Sequence, residues 1–159
     1  MKQFIISTLF ALSCIYAQDR IAIVEFTPSG IDNITAKNIT NRFSYELPKT
    51  KKFHIVEREM MDKILDEQKF QASGCVVDEC AVEIGQILGV QVIVAGNISK
   101  IENFYSLNIR FIDVETGKIL YQDMQDHEGK VSEFLLVTVK NMALRMAAET
   151  TKKTVTSSG

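Results

Sequence analysis

The sequence predicts an α/β (α+β) domain in which helices pack on a mixed sheet. In the first half of the chain, short apolar runs alternate with segments whose apolar residues recur at helical spacing. In the second half, two long alternating stretches meet at Glu115-Thr116-Gly117, the pattern of a hairpin. A last amphipathic segment closes the order β-α-β-α-α-β-β-β-α.

Residues 20–26, RIAIVEF, read as a buried first strand. Pro28 and Gly30 break it, and Ser29 or Asp32 is placed to cap a helix. That helix is expected over residues 33–47, with Ile34, Ile39, Phe43 and Leu47 down one side and Pro48 as its stop. Lys49, Lys51 and Lys52 follow, where positive charge complements the C-terminal end of the helix dipole. Residues 53–57, FHIVE, form a second strand. It passes almost without a loop into a helix over residues 58–70, built on Met61, Ile64, Leu65 and Gln68. Glu57, Arg58 and Glu59 therefore fall at the carboxyl end of a strand, where open α/β sheets often bind ligands. The same two carboxylates also suit a helix N-terminus.

Gly74 breaks the chain, and Asp78 can cap a third helix over residues 79–88 with Ala81, Ile84 and Leu88 on one face. Gly89 is placed to end it. Residues 90–99, VQVIVAGNIS, make a β-branched strand that Gly96 kinks or brings against another backbone. Residues 104–114 put Tyr105, Leu107, Ile109 and Phe111 on one face, and Ser106, Asn108 and Arg110 on the other. Residues 118–124 return beside them. His127 falls in a loop, and residues 131–149 form a helix marked by Phe134, Leu135, Thr138, Met142 and Met146.

The N-terminus indicates the compartment. Lys2, then an apolar run from Phe4 to Tyr16, then small Ala17 before charged Asp19 and Arg20, follow the order of a secretory signal. The run is shorter than the roughly 20 apolar residues a membrane-crossing helix needs. Residues 1–17 are thus expected to be a signal peptide, cut between Ala17 and Gln18. Residues 18–150 would form a single domain and 151–159 a polar tail. Ala11-Leu12-Ser13-Cys14 resembles a lipobox that would place lipid on Cys14, but its leucine stands one position too near the cysteine. The soluble exported form is the preferred reading.

Export frames the cysteines. With Cys14 cleaved away or acylated, Cys75 and Cys80 remain, in an oxidising setting. A metal site needs about four ligands, and His54 and His127 stand in no ligand spacing with them. A thioredoxin-like redox motif has two intervening residues, whereas four separate this pair. A local Cys75–Cys80 disulfide is the expectation, worth about 2 kcal/mol for so short a loop.

Charge and motifs exclude further classes. With 18 basic and 20 acidic residues, no cationic excess exists for nucleic acid or anionic lipid. The sequence contains no GxxxxGK, GxGxxG, G-x-S-x-G or HExxH pattern. No catalytic residue, metal or cofactor is expected, and the protein reads as not an enzyme.

RIAIVEF, then FHIVEREMMDKILDEQKFQASG, then ILGVQVIVAGNISKIENFYSLNIRFIDVETGKIL and a closing helix resemble the CsgG family, named for the curli secretion channel of bacterial outer membranes. The resemblance runs from Arg20 to Ala148, and its most specific pieces are VER entering an amphipathic helix and the hairpin closing on DVETG. It implies a cell-envelope protein at the periplasm or the periplasmic face of the outer membrane. Its partners would be other envelope proteins, or copies of itself, and its role accessory to assembly or secretion. The alternatives it implies are a subunit of a curli-type channel and a regulator of a peptidoglycan synthase similar to LpoB. The chain departs from the channel in having no inserted membrane hairpins, and Arg110 and Asp123 interrupt its one long hairpin. Arg58, Phe70 and Tyr105 are the positions put forward for a binding surface.

Overall fold

In the computed structural model, which describes residues 19–50, 53–70 and 77–156, six strands form one mixed sheet with helices on both faces. The elements are β1 (Arg20–Ile23), β2 (Thr27–Ser29), α1 (Asn33–Glu46), a 3₁₀ turn (Leu47–Thr50), β3 (His54–Ile55), α2 (Arg58–Glu67), α3 (Asp78–Leu88), β4 (Val92–Ile101), β5 (Phe104–Asp113) and β6 (Ile119–Glu128). A continuous helical run follows: α4 (Val131–Glu133), a π-helical segment (Phe134–Val139) and α5 (Lys140–Thr156). The path across the sheet is β3-β1-β4-β5-β6, with β1 parallel to both neighbours and the β4-β5-β6 meander antiparallel.

The first strand is interrupted. β1 pairs Ile23 with Val94, while β2 pairs Thr27 with Asn97, so three residues oppose two and the chain bulges at 24–26. The bulge frees the Phe26 amide from the ladder, and it donates instead to the Thr40 hydroxyl at 3.0 Å. Thr40 is fully buried on α1 and passes its own proton to the Ala36 carbonyl. A buried hydroxyl with both partners satisfied carries little penalty.

The two faces are unequal. Ile21, Ile23, Phe26, Val94, Ile98, Leu107, Ile109 and Phe111 pack under α1 and the C-terminal helical run. Ala22, Val24, Ile93, Ala95 and Ile112 pack under α2 and α3. Those two helices cover only the end of the sheet near β1. Beyond them Asn97, Ser99, Ser106, Asn108 and the outward residues of β6 form a polar, partly open face. The alternation in residues 104–111 encodes this division: its apolar side is buried and its polar side lies in the open half.

Several expectations are corrected. Ile34, expected on the core side of α1, is 75% exposed; Ala36, Ile39, Thr40 and Phe43 form the buried stripe instead. Of the two expected caps it is Asp32 that caps α1, accepting from the Thr35 hydroxyl at 2.7 Å and the Thr35 amide at 2.8 Å. These bonds, the hydroxyl's first, lower the Asp32 pKa. Pro48 lies within the 3₁₀ turn rather than ending the helix outright. β3 is two residues, not five. α2 ends at Glu67, and α3 begins at Asp78 with Val77 at the cap position. Asp78 instead faces the Arg110 guanidinium at 3.1 Å. His127 is not in a loop but in β6, half-buried beside the Phe134 ring. The helical run reaches Thr156, into the stretch read as a tail. Its π-helical segment shifts the inward phase by one residue, so Val139, not Thr138, follows Phe134 into the core.

Candidate functional site

At the β3 end of the sheet a groove of about 820 Å³ opens between the C-terminal end of α1, the strand edge and the start of α2. Ile23, Phe53, Val56 and Met61 make an apolar wall, each nearly buried. Tyr45, Lys49, His54, Glu57 and Arg58 supply polar and charged groups around it. The near-absence of a loop between β3 and α2 places Glu57 and Arg58 beside β3, as the sequence implies.

Two of these residues have defined local roles. Arg58 Nη2 donates to the Ile23 carbonyl at 3.1 Å, closing the end of β1 where the ladder breaks. Lys49 Nζ lies 2.9 Å from Glu46 Oε2 and 4.0 Å from the centre of the Tyr45 ring. Glu46 is buried and also meets Arg42 at 2.7 Å. The Lys49 hydrogen bond holds the Glu46 carboxyl below its ordinary pKa; burial opposes this, and the charges of Lys49 and Arg42 add to it. Glu57 takes the cap position of α2 without a side-chain capping bond.

The surface residues put forward from sequence do not form one site. Tyr105 is buried and stacks on Phe134 with ring centres 5.2 Å apart. Its place on the apolar side of residues 104–111 already signals this. Phe70 is half-buried against the α2–α3 cluster, and only Arg58 lines the groove. Sequence reasoning missed Tyr45 and Lys49, whose approach to β3 depends on how α1 lies on the sheet.

A second, shallower groove of about 520 Å³ runs between α1 and the helical run, lined by Asn38, Arg42, Tyr45, Leu135 and Leu136. Leu136 and Val137 are exposed beside it. Among the described residues no three His, Cys, Asp or Glu side chains converge as a metal site would require. No described helix is long and apolar enough to cross a membrane. Cys80 lies in the first turn of α3, half-buried. Cys14, Ala17, Gln18 and Cys75 lie outside the described residues.

Comparison with known proteins places this geometry. Residues 20–106, more than half of the chain, match the profile of the family described as curli production assembly/transport component CsgG. No curated protein matches the sequence. The fold is similar to that of the LpoB C-terminal domain from Salmonella enterica, with TM-score 0.60 and 15% identity over 73% of this chain and 87% of that one. It is similar also to lipoprotein GNA1162 from Neisseria meningitidis, with TM-score 0.62 and 14% identity over 81% and 96%. A third likeness is to the PelC dodecamer from Paraburkholderia phytofirmans, with TM-score 0.56 and 8% identity over 83% and 88%.

Proposed function

The chain belongs to the CsgG family, and from that premise we propose that it is an exported, non-enzymatic protein-binding module of the bacterial cell envelope. Its role is accessory to assembly or secretion at the periplasm or the periplasmic face of the outer membrane. Residues 1–17 direct export, cleavage falls between Ala17 and Gln18, and Cys75 and Cys80 close a disulfide that steadies the entry to α3.

The family match is the observation that carries this reading. The unequal sheet supports it: a rigid core under two helical layers leaves an apolar groove at one edge and a polar face at the other. Those are recognition surfaces, and complementarity to them gives the mechanism. Self-association is a second reading, favoured by the dodecameric state in which PelC, of similar fold, is described. A channel subunit is less well supported, because β5 lies inside the sheet with Leu107, Ile109 and Phe111 buried beneath the helices. Withdrawing that hairpin to line a membrane would strip the core.

Crosslinking in intact cells tests the proposal. The expected result is a discrete crosslinked species containing an envelope protein or further copies of the chain, with the free protein released by osmotic shock. A protein that stays in the cytosol, or that yields only uncrosslinked monomer, would overturn it.

A further inference from the structure

One wall of the 820 Å³ groove is the outer edge of β3, which no strand among the described residues pairs. The amides of His54 and Val56 donate to the carbonyls of Asp19 and Ile21, on the β1 side. Alternate residues of a strand direct their backbone groups to opposite sides. The N–H and C=O of Ile55 therefore point away from β1, toward the groove that Ile55 lines. The sheet path ends at β3, so no described strand takes up these groups.

We propose that this groove binds an extended acidic peptide segment of another protein, which pairs with Ile55 as an added strand. The inference rests on the protein-binding reading and deepens it by naming the form and charge of the partner. Alternate side chains of an added strand fall on opposite faces, and both are apolar here: Phe53 and Ile55 on the α1 side, Val56 and Met61 on the α2–α3 side. The charge around the groove selects acid. Arg58 brings a positive charge, and Lys49 shares the buried Glu46 carboxylate with Arg42, which leaves one net positive charge on that side, against the single carboxylate of Glu57 among the lining residues. Arg58 commits one of its donors to Ile23 and presents a guanidinium suited to a carboxylate. The opposite edge strand differs: β6 carries exposed Asp126 and Glu128, charges that discourage an acidic strand there.

Titration of the ¹⁵N-labelled protein with the acetylated, amidated heptapeptide Asp-Val-Glu-Val-Asp-Val-Glu tests this. Saturable shifts at Phe53 to Glu57, with slowed exchange of the Ile55 amide, are expected. Replacing the acidic residues of the peptide by lysine, or N-methylating its central residues, is expected to weaken binding by about 10-fold or more. Ile55→Pro removes the outward donor at an edge position that tolerates proline, and is expected to abolish peptide binding while the remaining amide spectrum persists. Shifts centred elsewhere, or equal binding of the lysine or N-methylated peptide, would overturn the inference. If wild-type and Ile55→Pro proteins capture the same envelope partner equally in crosslinked cells, the groove is overturned while the protein-binding reading stands. If the acidic peptide binds as expected yet no partner is crosslinked in cells, the groove is supported and the envelope reading fails.

Discussion

The Phe26 ring lies directly over Gly96. A Cβ built at position 96 would approach Phe26 Cδ1 to 2.9 Å and the Asn108 carbonyl oxygen to 2.7 Å. Both neighbours are fixed, one by the packed Phe26–Phe43 pair and the other by the β4–β5 ladder. The absent side chain is what admits the bulged residue to the core. Gly96→Ala is expected to destabilise by about 1–3 kcal/mol through overpacking, read as a lowered urea midpoint with unchanged slope. A neutral substitution would mean that the bulge relaxes freely.

Thr40 and Phe26 form the polar counterpart of that contact. Thr40→Val keeps the shape but leaves the buried Phe26 amide without an acceptor, and is expected to cost about 1–3 kcal/mol. Thr40→Ser retains the oxygen and should lose much less. Equal losses in the two variants would show that the methyl group, not the hydrogen bond, matters at this position.

Glu46 makes stability depend on acid pH. Its pKa is lowered from an ordinary value of 4.5, first by the Lys49 hydrogen bond and then by the Lys49 and Arg42 charges. A carboxyl with a depressed folded pKa contributes stability that is fully present above its unfolded pKa and is lost as pH falls through the folded one. The acid limb of the stability profile, below about pH 4.5, is therefore expected to flatten in Glu46→Gln. At neutral pH the same variant should lose about 1–2 kcal/mol, because the partners Lys49 and Arg42 are half-exposed and screened. Chemical denaturation across the acid range checks both points. An unchanged acid limb would remove Glu46 from the account.

Intact mass of the protein from its own host addresses export and the disulfide together. A chain beginning at Gln18 and two hydrogens lighter than its reduced form is expected. Cys80→Ser should then lower stability by about 2 kcal/mol. A diacylglyceryl adduct on Cys14 would instead make it a lipoprotein.

The order of strands and helices, the hairpin at Glu115-Thr116-Gly117 and the role of Gly96 were legible in the sequence, because each has a local cause. Period-2 and period-3.6 patterns follow from where side chains point along a single element, and a glycine within a strand run announces a close approach. Gly89 likewise ends α3 in the left-handed conformation its position implied.

Other features depended on which surfaces meet. The bulge at 24–26 comes from matching two parallel segments to one edge of β4, and nothing in RIAIVEF alone places it. Ile34 is apolar yet exposed because the angle of α1 on the sheet turns Ala36 and Thr40 inward instead. The groove was half visible: Glu57 and Arg58 follow from the short β3–α2 connection, but Tyr45 and Lys49 reach it from α1 across the fold. Local sequence determined the elements and the family to which the chain belongs. Tertiary packing decided the faces, the phase of the last helix and the open strand edge, since burial is a property of two surfaces in contact and one segment encodes only its own.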